Sequence, residues 1–103
     1  MNFGVPYRGT PQPRSGQYFT KNELITAVRE DIIGELEAIN QYNAHIVSTD
    51  NELARRVWAD IRDEERVHTG ELITLLNQLS PDELQKLQQG QAEVEKIMRE
   101  LGL

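Results

Sequence analysis

Two apolar seams joined by a three-residue connection constrain this chain more than any other feature. From residue 21 onward, Ile25, Val28, Ile32, Glu35, Ile39, Tyr42 and Ile46 follow one another at spacings of three and four. Val57, Ile61, Glu65, His68, Leu72, Leu75 and Leu79 repeat the pattern downstream. Such spacing puts every member on one face of a helix, the stripe that a packed helix turns towards its neighbours. Ser48-Thr49-Asp50 is too short to let the second helix do anything but fold back antiparallel to the first.

Helix starts are marked by a hydroxyl residue followed three positions later by glutamate: Thr20 with Glu23, Thr49 with Glu52, and Ser80 with Glu83. In such a capping box the two side chains satisfy N–H groups that the first helical turn leaves unpaired. Pro81 strengthens the last start, since a proline at the first helical position loses no hydrogen bond. The signals predict helices over about 21–47 and 51–78 and a third from 81. The third carries its own stripe of Leu84, Leu87, Val94, Ile97, Met98 and Leu101, with Gly90 as a point where it could break or kink. Its expected role is to pack on the first two helices or on a partner. Residues 1–19 hold three of the four prolines and both Arg8 and Arg14, with no periodic pattern and no acid, and are expected to form an arm preceding a helical domain over 20–103.

Composition excludes several chemistries. With no cysteine there is no disulfide, thiolate metal site, iron–sulfur cluster or thiol catalysis within the sequence. A net charge of −6 favours cations over nucleic acid or an anionic membrane. No apolar run approaches the roughly 20 residues that span a bilayer, and no signal-peptide stretch is visible, so the expected location is cytoplasmic. An apolar fraction of 38% is low for 103 residues, as expected where another subunit completes the core.

Each seam is interrupted by charge at the same height. Glu35 and Glu65 both lie 15 residues from Asp50, which at about 1.5 Å per residue puts both roughly 20 Å from the turn. His68 follows Glu65 by three, so the two project from one face and can bind one cation. An uncompensated carboxylate in an apolar seam costs several kcal/mol. A protonated or hydrogen-bonded glutamate, or a seam open to solvent at this level, would also relieve it, but a level-matched Glu plus Glu-x-x-His favours a metal. Two carboxylates and an imidazole suit iron or manganese, with zinc as competitor. A full di-iron bundle takes a Glu from each of two helices and two Glu-x-x-His pairs, and the sequence holds one of each. A two-fold axis through the site would supply the other half from a second copy. His45 has no Glu three residues before it and lies beside the seam, as an exposed or interfacial residue. Tyr42, seven residues after Glu35 on the same face, is expected beside the site or in the core, and Trp58 as a packing anchor. Glu30, Asp31, Glu37, Asp60, Asp63, Glu64 and Glu71 surround the three ligands and would attract Fe²⁺.

Glu35, Tyr42 and Glu65 with His68, in the context IRDEERVHTGEL, resemble the encapsulated ferritins, the ferritin-like cargo of encapsulin nanocompartments. The resemblance covers roughly residues 20–101. It implies an all-α chain that forms a ferritin-like four-helix bundle only on dimerisation, around a di-iron ferroxidase centre shared between two subunits. It further implies dimers assembled into a ring, commonly a decamer, housed inside an encapsulin shell where the Fe³⁺ is mineralised. Carried over by position, Glu35 and His68 would be terminal ligands, Glu65 would bridge the irons and Tyr42 would sit nearby. The chain departs from some members at Gly34, where they place a further acid, and at Gln41, where they have tryptophan; members also carry a C-terminal targeting peptide, which is not recognisable after Leu101. Two further readings are a di-iron or di-manganese peroxidase or oxygenase of the wider ferritin-like class, and a helical interaction module with a structural metal.

Overall fold

The computed structural model describes residues 17–103. Of the expected arm, residues 1–16, including Arg8 and Arg14, lie outside the described residues. Three helices follow: α1 (Lys21–Ile46), α2 (Glu52–Leu79) and α3 (Pro81–Glu100). The described residues contain no strand. α1 and α2 form the antiparallel hairpin, and at 26 and 28 residues each is about 40 Å long. Glycine at position 90 does not interrupt α3.

One of the three expected capping boxes is present. Thr20 accepts from the Glu23 backbone N–H, and Glu23 accepts from that of Thr20. At α2 the capping residue is Asn51, whose Oδ1 accepts from the Ala54 N–H at 2.9 Å, while Thr49 Oγ1 accepts from Asn51 N–H one step earlier. Asparagine caps as well as threonine and stands nearer the helix, so it displaces the Thr49–Glu52 box. At α3 the Ser80 side chain makes no capping bond, because Ser80 also ends α2 and its backbone (φ −135°, ψ 86°) serves both helices. Glu83 turns away from the cap and pairs with Arg29 of α1.

The hairpin contact is built on smaller residues than the seams suggest. Val28, Gly34, Ala38 and Tyr42 are buried on α1, opposed by Glu65 and Leu76 on α2. Small side chains at Gly34 and Ala38 let the two backbones approach, and several larger seam residues are left at the margin. Val57 and Leu75 are each nearly half exposed. α3 has no buried residue at all. Its backbone approaches α2 but not α1, and the Arg29–Glu83 pair ties its first turn to α1. A projecting α3 gives a flat, elongated particle of 53 × 45 × 19 Å, with a radius of gyration of 17.5 Å where a compact chain of this size has about 13 Å. Of the packing expected of α3, on the first two helices or on a partner, one chain shows only the corner beside Ser80 and the Arg29–Glu83 pair.

Candidate metal centre

The hairpin brings Glu35, Glu65 and His68 together at mid-length. Ligand-type atoms of the three lie within 4.8 Å of one another, the one such cluster of three or more among the described residues. Glu35 Oε1 is 3.7 Å from His68 Nδ1, and Glu65 Oε2 is 3.8 Å from the same nitrogen. Two atoms that each sit about 2.1 Å from one ion are themselves about 3–4 Å apart, so these separations suit a shared cation with small side-chain adjustment. They are too long for direct hydrogen bonds.

Burial sharpens the case. Glu65 is the one buried charged residue among those described. Glu35 Oε2 is buried and has no hydrogen-bond partner. A carboxylate oxygen held out of water without a donor is costly, typically by several kcal/mol, unless a proton or cation reaches it. Two carboxylates and an imidazole are oxygen and nitrogen ligands, and among the described residues no Lys or Arg forms an ion pair with either carboxylate. The donor set therefore fits a hard or borderline divalent cation. His68 is about half exposed, so the cluster is open to solvent on its His68 side.

Among the described residues nothing completes that open side: they hold a single Glu and a single Glu-x-x-His in the cluster, and the hairpin leaves Ile33 and Leu36 on α1 and Val57 and Leu75 on α2 about half exposed.

Tyr42 is 5% exposed, and burial raises its phenol above the ordinary value of 10.0. It therefore stays a neutral hydroxyl at any physiological pH. His45 is exposed, as expected, but does not stand alone. Its ring meets Tyr42 edge-on with centroids 6.3 Å apart and lies 5.0 Å from the ring of Trp58. Tyr42 and Trp58 are each eight residues from Asp50. Equal distance from the turn thus sets these two rings at one height, as it does Glu35 and Glu65, while His45 lies one turn after Tyr42 on the same helix. The seven surrounding acids are less uniform than their spacing suggests. Asp60 is engaged by Arg56, and Asp63 by Arg62 and Arg66, which leaves Glu30 and Glu37 on α1 as the half-buried members.

No family model matches the sequence. Two curated proteins are similar to it. One is a ferritin-like–encapsulin shell fusion protein of Pyrococcus furiosus, 37% identical over 79 residues, which are 77% of this chain and 23% of that protein. The other is the encapsulin nanocompartment cargo protein EncC of Myxococcus xanthus, 42% identical over 64 residues, 62% of this chain and 49% of that one. The chain thus spans less than half the length of either curated relative. Among solved structures, the encapsulated ferritin domain from Pyrococcus furiosus superposes with a TM-score of 0.78 at 33% identity, covering 90% of this chain and 94% of that domain.

Proposed function

The chain belongs to the encapsulated ferritin family, and from that premise we propose that it is a ferroxidase whose di-iron site is shared between two copies of the chain. The observation that carries this reading is the cluster of Glu35, Glu65 and His68 with the unpartnered Glu35 Oε2, three ligand-type side chains of which His68 is exposed. Two copies related by a two-fold axis past that side would present four carboxylates and two imidazoles, the ligand complement of a di-iron bundle. Association would also cover apolar surface that the hairpin leaves exposed.

Fe²⁺ is then the substrate. Glu65, the most enclosed of the three, would bridge the two metal positions, and Glu35 and His68 would serve as terminal ligands. Each Fe²⁺ gives up one electron, and O₂ takes the pair with two protons from solvent to leave as H₂O₂. What the chain contributes is position: a carboxylate-rich cage favours the more highly charged Fe³⁺, and its oxygen ligands exchange readily enough to release it. Tyr42, kept neutral by burial, stands on the same face of α1 two turns away as a hydroxyl donor and as an oxidisable group. The net charge of −6 and the half-buried Glu30 and Glu37 raise the local Fe²⁺ concentration. The names of the curated relatives support placing this chemistry beside an encapsulin shell; a ring such as a decamer would be the cargo assembly, and Fe³⁺ would be stored inside the compartment.

Anaerobic titration with Fe²⁺ followed by air tests the reading, with the assembly state followed alongside. The expected result is two irons per two chains, repeated oxidation cycles and inhibition by Zn²⁺. Saturation at one metal inside an isolated monomer would rule out the shared site, and a metal held without turnover would leave a structural role.

A further inference from the structure

His45 and Trp58 take no part in the cluster, yet they extend a line of rings that begins at Tyr42, on the ligand-bearing face of α1, and ends at the surface of α2. Tyr42 is buried, His45 exposed and Trp58 half-buried. The ring separations are 6.3 and 5.0 Å. Glu35 precedes Tyr42 by two helical turns, about 10 Å along α1. Each step is short enough for an electron to cross between neighbouring π-systems, and oxidation potentials of phenol and indole are close enough for the hole to pass either way.

We infer that Tyr42, His45 and Trp58 form a path that drains single oxidising equivalents from the iron site to the protein surface. The inference rests on the ferroxidase reading and concerns the case that pairwise oxidation leaves unsolved. H₂O₂ accepts two electrons, but a site holding one Fe²⁺ can supply one. Tyr42 supplies the second: Fe²⁺, H₂O₂, the phenol and one proton give Fe³⁺, a tyrosyl radical and two waters. Trp58 then passes an electron and its indole N–H proton to Tyr42, restoring the phenol and leaving a neutral indolyl radical. His45, packed between the two rings, is the medium for that transfer. A thiol in solution reduces the indolyl radical by giving up a hydrogen atom. Damage is thereby moved from the enclosed ligand carboxylates to a residue that soluble reductants reach.

The sequence lends itself to a clean test, because it has one tryptophan and three tyrosines. In a Tyr7→Phe, Tyr18→Phe background Tyr42 is the sole source of a tyrosyl signal. The assembled protein, loaded anaerobically with one Fe²⁺ per two chains, is mixed with H₂O₂ and freeze-quenched for electron paramagnetic resonance. A tyrosyl signal that gives way to an indolyl one is expected, with oxygen added at Trp58 in peptide mass spectra when no thiol is present. Trp58→Phe should lengthen the tyrosyl lifetime several-fold. His45→Leu should do the same while leaving Trp58 unmodified, and both variants should oxidise paired Fe²⁺ with O₂ as fast as the parent. Tyrosyl decay at the parental rate in both variants, or oxygen spread over exposed Met98 and Leu101 in preference to Trp58, overturns the path. Failure of the parent to oxidise Fe²⁺ with O₂ overturns instead the ferroxidase reading beneath it.

Discussion

The α1–α2 hairpin and α3 are written in the same grammar and end up in opposite states. Both have apolar stripes at spacings of three and four, both begin at a hydroxyl-x-x-Glu signal, and both are uninterrupted helices. The hairpin buries Val28, Gly34, Ala38, Tyr42, Glu65 and Leu76, whereas α3 buries nothing and leaves Leu87, Val94 and Ile97 about half exposed. An amphipathic stripe therefore states that a face is to be covered, without stating by whom. The difference lies in the connection. Several residues between α1 and α2 let the chain reverse, but one residue between α2 and α3 forces a corner that carries α3 away from the hairpin.

The strongest way to separate the two regions is through the metal. Glu65→Ala should remove Fe²⁺ oxidation by more than about 100-fold, well beyond the effect of disturbing a ligand's neighbour. The metal-free unfolding midpoint should hold or rise, because a buried carboxylate has gone. Activity retained in that variant would disconnect the hairpin from the chemistry. Leu76→Ala comes next, with an expected loss of about 2–4 kcal/mol in denaturant unfolding. Val94→Ala on α3 should cost about 1 kcal/mol or less, and only at protein concentrations where copies associate. An equal, concentration-independent cost at both positions would show α3 to be packed within its own chain.

The caps sharpen the comparison further. Thr20→Ala and Asn51→Ala should each cost about 1 kcal/mol, since each removes a bond to an otherwise unpaired helical N–H. Ser80→Ala should cost only a few tenths of that, because its side chain caps nothing. The Arg29–Glu83 pair is largely solvated, so Arg29→Ala should change global stability by less than about 1 kcal/mol. Hydrogen exchange in the first turn of α3 should nonetheless quicken, since that pair is the turn's tie to α1. The smallest effect is that of Tyr42 on stability at high pH. Burial raises its folded pKa above 10.0, so its contribution is complete below about pH 10 and is lost as pH climbs through the folded value. Ultraviolet titration should find one tyrosine ionising later than the others, and Tyr42→Phe should abolish that late phase.

The sequence already contains much of this architecture. Helix bounds follow to within a residue or so from Thr20, Thr49 and Pro81, because capping chemistry and proline geometry act locally. Bringing Glu35, Glu65 and His68 together required only the antiparallel reversal and the rise per residue. What was not legible depends on competition or on distance. Thr49 and Asn51 both have capping side chains, and only the settled backbone decides between them. Glu83 matches a capping box locally but is claimed by Arg29, 54 positions away. Gly34 reads in the sequence as a missing acid, whereas its burial makes it a point of close approach between helices. The direction of α3 depends on the φ and ψ of Ser80, which no periodicity encodes.

That single joint has a mechanical consequence. α3 extends about 30 Å from Ser80, so a rotation of only about 10° there carries the far end through about 5 Å, roughly one helical turn. The hairpin, braced along its length, cannot follow such a displacement. Ser80 thus works as the fulcrum of a lever, and small changes in its torsion set how far from the Glu35–Glu65–His68 cluster the tip of α3 can reach.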